Sequence, residues 1–211
     1  MPAGRIHDRI TLWTLPYVTV LVFALSRDGE LTLLAAGGYL LGGLLLGPDL
    51  DIHSRPFKRW GPLRWIWLPY QRGLRHRSLW SHGPIVGTTL RLLYLGLWLG
   101  LGLGLGALLW GLLVGGSGWR TVAWDILEQG GAGFGRSLQT HPQAYVMAYC
   151  GLEAGAMSHS LSDYIGSAVK RYQRQGWRGL WPKAKSGKKS SDKKLATKKP
   201  SVRKLSAKKR R

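Results

Sequence analysis

Residues 92–116 read LLYLGLWLGLGLGLGALLWGLLVGG, twenty-five consecutive positions without a charged side chain. A helix needs about 20 apolar residues to cross the hydrocarbon core, so this run reads as a transmembrane helix with length to spare. A buried helix of a soluble protein would show a polar face, and this one has none. Whole-chain averages conceal it: the sequence is 45% hydrophobic with a mean hydropathy of −0.09, values of an ordinary soluble domain. The average mixes two unlike parts. From Lys170 onward eighteen Lys or Arg face one acid, Asp192, which accounts for +17 of the net +21.

Three further apolar segments accompany this run. Residues 10–25 (ITLWTLPYVTVLVFAL) and 31–47 (LTLLAAGGYLLGGLLLG) flank the polar turn SRDGE, and residues 142–157 (PQAYVMAYCGLEAGAM) carry one carboxylate, Glu153. Each makes about 24 Å of helix against a core of roughly 30 Å, so flanking polar residues must extend it, or the bilayer must thin. For 142–157 a helix packed at the interface is the rival reading. Pro16 should kink the first helix, and no small-residue cleavage site follows it, which favours a retained helix over a signal peptide. The lone Cys150 excludes an internal disulfide.

Loop charge sets the orientation. Arg5 and Arg9 precede the first span, and Arg55, Lys58, Arg59, Arg64, Arg72, Arg75 and Arg77 fill the loop before the third. The opposite side has Arg27, with Arg120 and Arg136 balanced by Asp125 and Glu128. Four spans with both termini cytoplasmic satisfy every segment. Within residues 56–80 the bases interleave with Trp60, Trp65, Trp67, Tyr70 and Trp80, a composition suited to an interfacial loop on anionic lipid. Base stacking uses the same residue types and is the lesser reading. Glycines recur four apart at 38/42, 43/47, 100/104, 111/115 and 151/155, a spacing that lets helices approach closely in lipid. The sequence thus describes an all-α polytopic bundle of about four transmembrane helices, residues 1–182, followed by a disordered basic tail, 183–211.

Under this topology the ligand-type side chains gather on one leaflet. His7 precedes the first span, Asp49, Asp51 and His53 follow the second, His76 and His82 precede the third, and His159 and Asp163 follow the fourth. His141 falls on the far side and is excluded. His159 and Asp163, four apart, share a helix face. Asp49 and Asp51 alternate in an extended turn after Pro48 and point the same way, which turns His53 away. Each element has an ordinary reading alone: a solvated histidine, a chance HxxxD, a capping aspartate. Their convergence points to one divalent metal held by His7, Asp49, Asp51, His76, His82, His159 and Asp163. Imidazole with carboxylate suits zinc foremost, and also manganese, iron or nickel.

The segments GRIHDRIT, GPDLDI, LRHRSLWSHGP and SHSLSDY together resemble an uncharacterised bacterial family of metal-binding membrane proteins. That family is similar to the inner-membrane metal-dependent hydrolases, and more distantly to zinc-dependent phospholipases C and single-strand nucleases. The resemblance covers about residues 4–166. It implies a bacterial inner-membrane location and metal-dependent hydrolysis. The position of the site beside the cytoplasmic leaflet points to a phosphoester, whose phosphate Arg75 and Arg77 beside His76 would hold. No Ser or Cys nucleophile motif, phosphate loop or dinucleotide fingerprint is present, so no catalytic residue is assigned. The alternative is a non-enzymatic adaptor: a structural metal staples the helix ends, and the tail recruits anionic lipid, RNA or an acidic protein. A transporter is disfavoured, because only Glu153 places a charge within a span.

Overall fold

The computed structural model describes residues 4–76 and 78–179. Arg77, the tail from Lys183 and the boundary at 182 lie outside the described residues. Among the described residues the chain is helical without strands. The long helices are α1 (Gly4–Ser26) and α2 (Gly29–Leu44), then α6 (Val86–Val114), α7 (Trp119–Thr140) and α8 (Pro142–Gln175). Between α2 and α6 lie three short helices, α3 (Arg55–Arg59), α4 (Leu68–Gly73) and α5 (Leu79–His82), with 3₁₀ turns at Pro48–Asp51 and Gly61–Trp67.

Three stretches are long and apolar enough to cross a membrane: α1, α6, and α2 with the turn after it, Gly29–Asp51. Their outward faces are apolar: Trp13 is 76% exposed, and Leu25, Leu103 and Leu113 are similarly open. Water would penalise such a surface and lipid would not. The helices are longer than the apolar runs, because α1 takes in the polar GRIHDR and α8 continues 18 residues beyond Met157.

Glycine decides how α2 meets α8. A Cβ on Gly42 would lie 2.0 Å from the Leu152 carbonyl oxygen, and one on Gly155 would lie 2.1 Å from that of Tyr39. Gly38 faces Ala148 and Gly151 faces Ala35 in the same manner, so both partners rise in number together and the helices run parallel. Such backbone-to-backbone contact is what would hold two helices together in lipid, where a hydrophobic drive is lacking. Gly43 turns to the other neighbour, Thr11 of α1. Of the remaining spaced pairs, Gly111 and Gly115 seat Trp119 at the turn into α7, while Gly100 and Gly104 face open space.

Two expectations change. Residues 119–140, read as a hydrophilic outer connection, form the 22-residue α7, whose Ala123 packs against Gly111 of α6. Its four charges are spaced widely enough for the helix to keep apolar side chains between them. The loop 56–80 does not merely lie on a surface. Phe57, Ile66, Trp67 and Tyr70 are buried in a cluster with Leu46, Leu50 and Leu152, while Trp65 and Trp80 stay exposed. Trp67 meets Tyr70 edge-on at 5.5 Å, a favoured aromatic geometry. The segment is a folded cap over one end of the bundle.

Candidate metal centre

Parallel packing of α2 on α8, with α1 folded back by the turn at Arg27–Asp28, brings three points to one end: the start of α1, the turn after α2 and the middle of α8. The cap supplies the fourth. Ser54 begins α3 by accepting from Phe57 N, and Arg59 donates to the Leu44 carbonyl in the last turn of α2 at 2.8 Å. Asp8 accepts from Arg55 at 2.5 Å and pairs with Arg59 at 2.8 Å, tying the start of α1 to the cap.

Six of the seven expected ligands fall into two groups: His7, His159 and Asp163, and Asp49, His76 and His82. Within each group one donor atom per residue lies within 4.8 Å of the others. His7 Nε2 is 3.3 Å from Asp163 Oδ1, and the His7 and His159 rings stack at 3.9 Å. Asp49 faces both groups, with His159 Nε2 3.0 Å from its Oδ2 and His82 Nε2 3.4 Å from its Oδ1. The seventh, Asp51, stands behind the second group, its Oδ1 2.9 Å from His76 Nδ1 and its Oδ2 3.7 Å from His82 Nδ1. A carboxylate on the far nitrogen of a histidine fixes the ring and leaves Nε2 as the donor for a metal.

Ser162 does the same for His7. Its hydroxyl donates to the His159 carbonyl at 2.8 Å, so its oxygen accepts from His7 Nδ1–H at 2.6 Å. His7 Nε2 is then the atom turned toward the Asp163 carboxylate. Either a second ring proton or a cation must reconcile the two electron-rich atoms.

The residues fit a metal. In tetrahedral zinc sites the bonds are about 2.1 Å, so neighbouring ligand atoms sit roughly 3.4 Å apart. The His7–Asp163 and His82–Asp49 separations of 3.3 and 3.4 Å are close to that value. His159 Nδ1, His82 Nε2 and Asp51 Oδ2 are buried with no hydrogen-bond partner among the described residues. Such atoms are costly to leave unsatisfied, and a bound cation with reoriented rings would relieve that cost.

The other expected residues are placed as follows. His53 lines the cavity beside His7 and packs with a tilted ring against Phe57 at 4.8 Å, outside both ligand groups. His141 sits at the junction of α7 and α8, about 27 Å of helix from His159. Arg75 is exposed and contributes its carbonyl, which accepts from Ser81 Oγ at 3.3 Å. Instead, Arg55 and Lys58 line the cavity of about 240 Å³ bordered by His7, Asp49, His159 and Asp163.

Three supporting groups escape a search for ligand types. Arg91, 2% exposed, donates to the Ser81 carbonyl at 2.7 Å and to Thr88 Oγ1 at 2.9 Å, anchoring the turn that carries His82. Ser81 Oγ lies 2.9 Å from His82 Nδ1. Glu153 accepts from Ile85 N at 3.0 Å and holds that residue at φ +63°, a strained value for a β-branched side chain. Proximity of Ser81 to His82 in sequence is the signal that could have found one of them, as proximity of Ser162 to His159 could have found the partner of His7.

Residues 2–173 match the family described as uncharacterized metal-binding protein (DUF2227). The chain belongs to that family. Every residue of both ligand groups falls within the matched stretch. An uncharacterized protein of Aquifex aeolicus is 48% identical over 59 residues, which are 28% of this chain and 41% of that protein. The chain thus spans less than half the length of that relative. No solved structure matches.

Proposed function

We propose that this member of the family is a membrane-embedded, metal-dependent hydrolase acting on a phosphoester at the cytoplasmic leaflet. The observation that carries the reading is the meeting of four distant chain segments in one half-buried His/Asp cluster beside a cavity lined by Arg55 and Lys58. A bound divalent metal, zinc foremost, would supply Lewis-acid polarisation of a phosphoryl oxygen and acidify a water molecule. Its ligands would come from among His7, His159, Asp49, His82, His76 and Asp163, and Ser162 and Asp51 fix the rings of His7 and His76. Arg55 can offer a guanidinium to phosphate oxygens while Asp8 positions it, and Lys58 adds a second positive charge. Arg75 and Arg77 remain a second source of phosphate contacts from the segment that carries His76.

In this reading α8 is the fourth span, both termini are cytoplasmic, and the membrane is a bacterial inner membrane. The basic cap and the tail from Lys183 bind anionic lipid, with RNA or an acidic protein as the tail's other partners. Support comes from the asymmetry of Lys and Arg between the two sides. Cysteine substitutions at positions 28 and 130 should label from outside and those at 60 and 190 from the cytoplasm; cytoplasmic labelling at 130 contradicts the topology.

The test is hydrolysis of phosphoester substrates, lipid and water-soluble, by the detergent-purified full chain with and without chelator. Chelator-sensitive turnover restored by zinc or manganese supports the proposal. Retained metal without turnover on any phosphoester would instead favour a structural metal in a membrane adaptor.

A further inference from the structure

We infer that the cluster is built for two metal ions that share Asp49, one position with four protein donors beside the Arg55/Lys58 cavity, the other with three. The inference rests on the metal-dependent reading above. Its ground is the division of labour between the two oxygens of one carboxylate. Asp49 Oδ2 faces His159, which belongs with His7 and Asp163, whereas Oδ1 faces His82, which belongs with His76. One ion would not use all of these donors. Zinc takes four ligands, and the two groups, Asp49 included, offer six residues.

The two positions differ in what they leave available. The first has His7, His159, Asp163 and Asp49 Oδ2, four protein donors, with His7 5% and His159 3% exposed. Such a set can fill a tetrahedral shell, and the cavity that carries Arg55 and Lys58 opens beside it. The second has His76, His82 and Asp49 Oδ1, three donors, and His76 is exposed. Three protein ligands with one position open is the arrangement of catalytic sites. Asp51 serves the second position alone, through His76 and His82, and its side chain is fully buried. The buried Asp51 Oδ2, the buried His82 Nε2 and the buried His159 Nδ1 lack hydrogen-bond partners among the described residues, and they lie on both sides of Asp49. Paired ions bridged in this way are used to clamp the attacking and leaving oxygens of a displacement at phosphorus.

The experiment uses the full chain in detergent, stripped by chelator and reloaded with manganese(II), with metal content read by mass spectrometry and spin coupling by electron paramagnetic resonance. The wild type should bind about two equivalents and give an exchange-coupled spectrum, as expected of closely spaced paired ions. His76→Ala, at an exposed position, should keep the fold by circular dichroism, retain about one equivalent and lose the coupling. His7→Ala should do the same from the other side. Saturation of the wild type at one uncoupled equivalent overturns the shared Asp49 yet leaves a mononuclear hydrolase intact, and coupling that survives Asp49→Ala overturns it equally. A protein that binds no manganese and hydrolyses nothing would overturn both readings.

Discussion

His159 Nε2 lies 3.0 Å from Asp49 Oδ2 although 110 residues separate them in the chain. The contact exists because α2 and α8 run parallel with their backbones touching through Gly38, Gly42, Gly151 and Gly155. Packing in the middle of the bundle therefore sets the register of the ligands at its end.

That register gives the first prediction. Gly155→Val places a side chain where a Cβ already meets the Tyr39 carbonyl oxygen at 2.1 Å. Overpacking of this kind costs about 1–3 kcal/mol, so the melting temperature in detergent should fall and metal affinity with it. Gly104→Ala, facing open space, should leave both unchanged. Equal melting temperatures for the two variants would show that the α2–α8 contact does not hold the fold.

Asp51 touches histidines and stands outside both ligand groups. Asp51→Asn should keep the fold while weakening metal affinity by about 10–100-fold, the usual cost of losing a partner that orients a metal-binding histidine. Competition with a fluorescent chelator measures it. Complete loss of metal would mark Asp51 as a direct ligand.

Arg91 anchors the His82 turn from inside the bundle. Replacing it with Met keeps the stem but leaves the Ser81 carbonyl without its donor, a loss of about 1–3 kcal/mol. Thermal unfolding should register this, and metal affinity should fall in parallel. Unchanged affinity would separate the anchor from the site.

Truncation after Pro182 removes fourteen bases and Asp192. Attraction by such a tail is screened within about 10 Å at 0.1 M salt, so binding to anionic vesicles should weaken and lose part of its salt dependence. Metal content should not change. Loss of metal on truncation would make the tail part of the folded domain.

The sequence made legible what depends on composition. The candidate spans α1, α2 and α6 follow from uncharged runs, and His7, Asp49, His82 and His159 gather at one end of the bundle, as alternating spans would place them. Pairings set by side-chain direction were hidden. Nothing in GPDLDI says that Asp49 faces two histidines while Asp51 stands behind them. Helix α7 was missed because Arg120, Asp125, Glu128 and Arg136 read as a polar connection. Arg91 was missed because the apolar run begins one residue later, although α6 begins at Val86. Five glycine pairs looked alike, and tertiary packing alone distinguishes 38/42 and 151/155 from 100/104.

The most direct test is elemental analysis of the detergent-purified full chain beside three single variants, His159→Ala, Asp163→Ala and His141→Ala. His159 and Asp163 belong to the buried ligand group, whereas His141 sits at the far end of α8. Wild type and His141→Ala should carry the same divalent transition metal content, and the other two should each lose at least about tenfold in affinity. Equal metal content in all four proteins would contradict the account.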